Sequence, residues 1–105
     1  MTISAPELNR ACVAAVHFSD DALTVDLRDG RTIAVPLAWY PRLRHATDAE
    51  RSTWRLIGGG EGIHWPEIEE DLSVESLIAG RPSQESQTSL RRWLETRKAL
   101  SQTNG

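Results

Sequence analysis

Leu23-Thr24-Val25-Asp26-Leu27-Arg28-Asp29-Gly30-Arg31-Thr32-Ile33-Ala34-Val35-Pro36 decides the fold of this chain. On either side of its centre, apolar and polar residues alternate with a period of two, as they do in a strand with one buried face. The two runs are separated by Asp29-Gly30, residue types that accept the positive φ angles of a tight hairpin turn. Pro36 has no N–H to offer a ladder, so the second run ends there. Just upstream, Cys12-Val13-Ala14-Ala15-Val16-His17-Phe18 is rich in strand formers, and Ser19-Asp20-Asp21 supplies a turn after it. The reading is a three-stranded antiparallel meander with Leu23, Val25, Leu27, Ile33 and Val35 on its inward face. So small a sheet needs a cover for its apolar face, which makes the chain α+β.

The cover is expected downstream. Leu37 to His45 is interrupted by Pro41 and allows at most a helical turn on either side. Thr47-Asp48-Ala49-Glu50 reads as a capping box, in which the Thr hydroxyl and Glu carboxylate satisfy each other's backbone N–H. The helix it opens is expected to reach Leu56 or Ile57, turning Trp54 and Ile57 to the core, with Gly58-Gly59-Gly60 stopping it. Ile63-His64-Trp65 reads as one further short strand, ended by Pro66. Ser73 caps a short helix carrying Val74, Leu77 and Ile78, closed by Gly80 and Pro82. Ser83 is expected to cap a last amphipathic helix from about Gln84 to Ser101, with Leu90, Trp93, Leu94 and Leu100 at near-helical spacing. Residues 1–10 then form an N-terminal arm, 11–80 the α+β domain, and 81–105 the C-terminal helix and tail, all in one globular unit.

The 105 residues fit one domain, and 39% hydrophobic with 26% charged residues is an ordinary globular composition. A net charge of −3 supplies no overall attraction to nucleic acid or membranes. Cys12 is the only cysteine, which excludes an intramolecular disulfide and fits a reducing, cytoplasmic compartment. The first ten residues have neither the basic nor the apolar part of a secretory signal, and no apolar run is long enough to span a bilayer.

Charge is nevertheless concentrated. Between Glu61 and Glu75 stand Glu61, Glu67, Glu69, Glu70, Asp71 and Glu75, six carboxylates with no Lys or Arg among them. The last helix has Arg91, Arg92, Arg97 and Lys98 against Glu85 and Glu95. One reading is a pair of solvated faces, or internal pairing of the acidic stretch with the basic helix; the other is a docking surface that steers a partner. Trp39, Trp54, Trp65 and Trp93 suit core and rim packing, and Trp93, among arginines, suits either its own sheet or a second subunit. Gly58 to Gly62 lacks the strand–loop–helix context and the Lys of a phosphate loop. The three histidines share no metal-ligand spacing with each other or with Cys12, and Glu69-Glu70-Asp71 does not converge on one point without help from elsewhere. No catalytic residue, metal or cofactor is expected.

Asp29-Gly30-Arg31 with Val35-Pro36-Leu37-Ala38-Trp39-Tyr40-Pro41-Arg42-Leu43, the Trp54 helix, and Gly62-Ile63-His64-Trp65-Pro66-Glu67-Ile68-Glu69-Glu70-Asp71-Leu72-Ser73-Val74 running to Gly80 together resemble the bacterial domain-of-unknown-function family numbered 2442. The resemblance spans about Val13 to Gly80. It implies small proteins often encoded beside a second small gene in pairs that look like toxin–antitoxin modules, some of them similar to the N-terminal part of helix-turn-helix regulators. Only 81–105 follows here, too short for such a DNA-binding domain. The expectation is therefore a non-catalytic interaction or regulatory module, antitoxin-like, whose partner is the neighbouring gene's product or a second copy meeting through the C-terminal helix. Trp39, Tyr40, Arg42, Arg44, Glu61, His64, Trp65, Glu70, Asp71, Arg92 and Trp93 are the interaction candidates. A small-ligand or nucleic-acid binding domain using Trp39, Tyr40, Arg42 and Arg44 is the alternative, and an enzyme centred on His64 stands third.

Overall fold

The computed structural model describes residues 12–103. Residues 1–11 (the N-terminal arm among them), the last two residues of the tail and the side chains of residues 100–103 lie outside the described residues. The expected meander is present as β1 (Val13–Phe18), β2 (Ala22–Leu27) and β3 (Thr32–Pro36), antiparallel and in that order. Leu23 lies opposite Val35 and Val25 opposite Ile33, so the apolar residues of both strands share one face. Leu23, Val25, Leu27 and Val35 are buried and Ile33 packs partly against them. The turn is a three-residue connection: Leu27 N–H donates to Arg31 O at 2.8 Å, Gly30 N–H donates to Leu27 O at 3.0 Å, and Gly30 takes φ +94°. Glycine adopts that angle without a Cβ clash.

One irregularity lies in β1. Val13 faces Leu27 and the next paired residue, Ala15, faces Asp26, so Ala14 is a bulge. Ala14 is exposed, whereas Val13 is buried and Val16 and Phe18 pack on the core.

The cover differs from the expectation. The one further strand is the middle of a second antiparallel meander, β4 (Arg55–Ile57), β5 (Gly62–Trp65) and β6 (Glu70–Ser73). Its inward residues Ile63, Trp65 and Leu72 join those of the first sheet in a single core. Phe18 meets Trp65 edge to face, with centroids 6.2 Å apart and planes at 71°, and Trp65 Nε1–H donates to Arg51 O at 3.0 Å. Among the described residues, four helices complete the fold: α1 (Pro41–His45), α2 (Asp48–Ser52), α3 (Val74–Ala79) and α4 (Gln87–Thr103), with a 3-10 turn at Leu37–Trp39. Leu37, Leu43, Val74 and Leu77 from these pieces, with Tyr40 and Ile68 from the connections, join the same core. Each such apolar side chain contributes about 1.5–3 kcal/mol by leaving water.

The capping box of α2 forms in both directions, Glu50 N–H to Thr47 Oγ1 at 3.1 Å and Thr47 N–H to Glu50 Oε1 at 2.8 Å. The helix nevertheless ends at Ser52, four to five residues before the expected end. Ser52 Oγ and Thr53 Oγ1 donate back to the carbonyls of Asp48 and Ala49 at 2.9 and 2.8 Å, a local alternative to continued helix. The chain then extends, and Leu56 pairs with Ile63. Trp54 is accordingly half-buried, and Ile57, expected in the core, is 40% exposed. The three glycines join two strands instead of stopping a helix.

Ser73 caps α3 as expected, accepting from Ser76 N–H at 3.0 Å, and Gly80 ends it in the left-handed region at φ +72°. The last helix begins at Gln87, later than expected, with Ser86 Oγ accepting from Ser89 N–H at 3.1 Å. Ser83 serves a turn instead, accepting from Glu85 N–H at 3.1 Å, which leaves 81–86 outside regular structure.

Candidate functional site

An open cleft of about 660 Å³ lies beside β6, within the ~300–1,000 Å³ range of ligand sites. Consecutive residues Glu69 to Ser73, from both faces of the sheet, line one wall, so the cleft follows the strand's free edge. The opposite wall is the extended segment Arg81 to Glu85. That wall is pinned: Tyr40 Oη–H donates to Arg81 O at 3.0 Å and Ser83 N–H donates to Trp39 O at 2.9 Å. Tyr40 is 1% exposed, so the residue expected on a surface is the buried post that holds this wall.

Arg42 organises one end. Its Nε–H donates to both Glu85 carboxylate oxygens at 3.0 Å, one Nη–H to Glu85 at 2.8 Å and the other to Ile68 O at 2.9 Å. This forked pairing holds the Glu85 carboxyl below its ordinary range. Glu70, opposite Trp65 on the inward side of β6, has no such partner among the described residues. Burial, then the Glu85 and Asp71 charges, push its carboxyl up to about 7 against the pull of Arg42. The neighbouring Glu69 takes φ +53°, a left-handed conformation uncommon for a residue with a Cβ. Four carboxylates, Glu69, Glu70, Asp71 and Glu85, thus line the cleft against the two guanidiniums of Arg42 and Arg81.

α4 is seated from the far side of Arg42. The Trp93 ring is in cation–π contact with two guanidiniums, that of Arg42, 5.0 Å from its centroid, and that of Arg97, 4.5 Å away. Arg97 also grips both oxygens of Glu50 at 2.8 Å, which with the Thr47 N–H holds the Glu50 carboxyl down to about 2. Of the two roles open to Trp93, this is docking on its own domain.

The other candidates disperse. Trp65 is fully buried and belongs to the core. His64 Nδ1 and Asp71 Oδ1 share a hydrogen bond on the outward face of the second sheet, and His64 does not line the cleft. Asp71 is a strand residue of β6. Trp39 is half-buried, and Glu61, Arg44 and Arg92 are exposed. Among the described residues no ion pair joins the Glu61–Glu75 stretch to α4, whose Arg97 pairs with Glu50 instead. No group of three or more His, Cys, Asp or Glu that could hold a metal occurs among the described residues, and no helix there is long and apolar enough to cross a membrane. The structure adds the wall residues Arg81 and Ser83 and the carboxylate of Glu85 to the expected candidates. The signal for them is Arg81-Pro82-Ser83, a Pro-containing stretch that breaks two helices apart.

Fold and cleft together define a class: a small α+β domain of two facing antiparallel meanders with an acid-lined groove along one free strand. Residues 13–83 match the family described as protein of unknown function DUF2442, and the chain belongs to that family. The match takes in both sheets and the first part of the pinned wall, and it ends before α4. A crystal structure of a protein of unknown function from Rhodospirillum rubrum ATCC 11170 is similar at 29% identity and a TM-score of 0.60, over 70% of this chain and 92% of that one. A solution NMR structure of an uncharacterized protein from Chromobacterium violaceum shares the fold at a TM-score of 0.61 and 19% identity, over 75% of this chain and 76% of that one. No curated protein matches.

Proposed function

We propose that this domain is a non-catalytic protein-interaction module, regulatory or antitoxin-like, that receives a small basic partner along β6. The observation that carries the reading is the open cleft whose four lining carboxylates meet, among the described residues, only the two guanidiniums of Arg42 and Arg81. Arg42 is committed to Glu85 and Arg97 to Glu50, so the acidic stretch keeps its field for something outside. The same commitment works against the nucleic-acid alternative, because it leaves Arg44 exposed without its neighbour Arg42. The test is co-expression with the product of the adjacent gene, followed by sizing chromatography and titration calorimetry of the purified pair. A stable complex that weakens with Glu69→Lys and with added salt is expected. Absence of binding at micromolar concentration overturns the reading.

A further inference from the structure

The ladder between β5 and β6 shows which backbone groups of β6 are free. Val74 N–H donates to Glu61 O at 2.9 Å, and the register Gly62 opposite Ser73 places those two residues directly opposite each other. In an antiparallel pair, bonded and non-bonded pairs alternate. Ile63 with Leu72 and Trp65 with Glu70 are therefore the bonded pairs. The N–H and C=O of Asp71 and the N–H of Ser73 then point away from β5, into the cleft, and among the described residues no hydrogen bond satisfies them. Exposed strand edges with such unpaired groups are templates for another strand. The other edge of this sheet is a weaker template: by the same alternation, β4 turns outward only the groups of Leu56 within its three residues.

We infer that the cleft takes an extended peptide carrying Lys or Arg, added as a fourth strand on β6, with backbone bonds to Asp71 and Ser73 and its cations against Glu69, Glu70 and Glu85. The inference rests on the interaction reading above and names the occupant. Charge complementarity selects a cationic strand: four lining carboxylates face two guanidiniums, one of which is bound to Glu85. A cation beside Glu70 compensates a carboxylate that burial now disfavours. Ile57, 40% exposed at the cleft's other end, offers an apolar contact for a neighbouring side chain. Pinning of the 81–85 wall by Tyr40 and Trp39 means the slot is preformed, so the peptide alone has to be ordered.

The test is an NMR titration of the ¹⁵N-labelled full chain with a synthetic decapeptide alternating lysine with threonine. Arms use the same peptide with glutamate for lysine, and the same peptide N-methylated at every second residue in each of the two phases. The expected result is a shift of the Asp71 and Ser73 amides, loss of binding with glutamate, and a loss of at least about tenfold for one N-methyl phase only. Glu69→Lys, on an exposed side chain, lowers affinity by about tenfold without unfolding the domain. Unshifted Asp71 and Ser73 amides at millimolar peptide, or equal affinity for both N-methyl phases, overturn strand addition. A neighbouring-gene product that binds the chain without moving those amides overturns it too, while leaving the interaction reading standing. Peptide binding at these amides with no binding by that product supports strand addition and overturns the antitoxin-like pairing with that gene product, leaving a basic peptide as the occupant.

Discussion

The two meanders have the same topology and different characters. The first has strands of five or six residues, an alternation broken only at Ala14, and an inward face in which Val13, Leu23, Val25, Leu27 and Val35 are buried. The second has strands of three or four residues, an edge strand exposed throughout, and a non-glycine residue at positive φ just before β6. The first sheet is held by its own pattern; the second is held by what it leans on. The contrast teaches that the same topology can serve as scaffold in one half and as site in the other, and that short strands with unspent edges mark the site half.

The sharpest way to break this contrast is at Trp65, the fully buried residue by which the second sheet leans on the first. Trp65→Ala is expected to cost about 3–5 kcal/mol in urea denaturation, whereas Trp54→Ala, half-buried, costs about 1–2 kcal/mol. Equal losses would mean that both sheets rest on Trp54. Gly62→Ala comes next. A Cβ there would lie 2.9 Å from Ile57 Cγ1 and 3.2 Å from Leu72 O, costing about 1–3 kcal/mol by overpacking. Ile57→Ala in the same chain should recover part of that loss, a coupling read from the double-mutant cycle.

The pH profile sharpens the comparison further. Glu70 has a folded-state carboxyl raised from 4.5 to about 7, so the folded chain holds that proton more tightly than the unfolded chain. Its effect is a loss of stability as pH rises from about 4.5 to 7, complete above that window. Glu50 runs the other way: lowered from 4.5 to about 2, it stabilises above 4.5, and that contribution is lost as pH falls toward 2. Glu70→Gln should therefore be more stable than the parent at pH 8 by roughly 1–2 kcal/mol after allowance for partial exposure, and little different at pH 4. Denaturation midpoints at the two pH values decide it. The smallest effect belongs to the scaffold's outer face. There His17 bonds Asp26 at 2.9 Å and Thr32 Oγ1 donates to the other Asp26 oxygen at 2.9 Å, both in solvent. His17→Ala should change stability by less than about 0.5 kcal/mol.

The same contrast explains what could be read without coordinates. Leu23 to Pro36 announces its strands because alternation and a turn signal agree locally. The caps at Thr47 and Ser73 and the stop at Gly80 are local too. Leu56-Ile57 reads as helix because Trp54 and Ile57 also fit a helical spacing, and only pairing with Gly62 and Ile63 decides for a strand. Glu70-Asp71 reads as a charge run, since nothing nearby shows that Leu72 and Trp65 will pull it into a sheet. Their charge still marks Glu70 and Asp71 as candidates, whereas the far wall carries no mark, because the Arg42–Glu85 pairing spans 43 residues and leaves no local trace.

The bulge at Ala14 gives the first strand a spare register position. In any regular strand a one-residue deletion acts like a frameshift, turning every following side chain to the opposite face. Removing Ala14 is different: Val13 would be followed directly by Ala15, restoring strict alternation with Val16 and Phe18 still inward. The chain can lose a letter there and keep its meaning, whereas the loss of Thr24 or Ala34 would scramble the sheet.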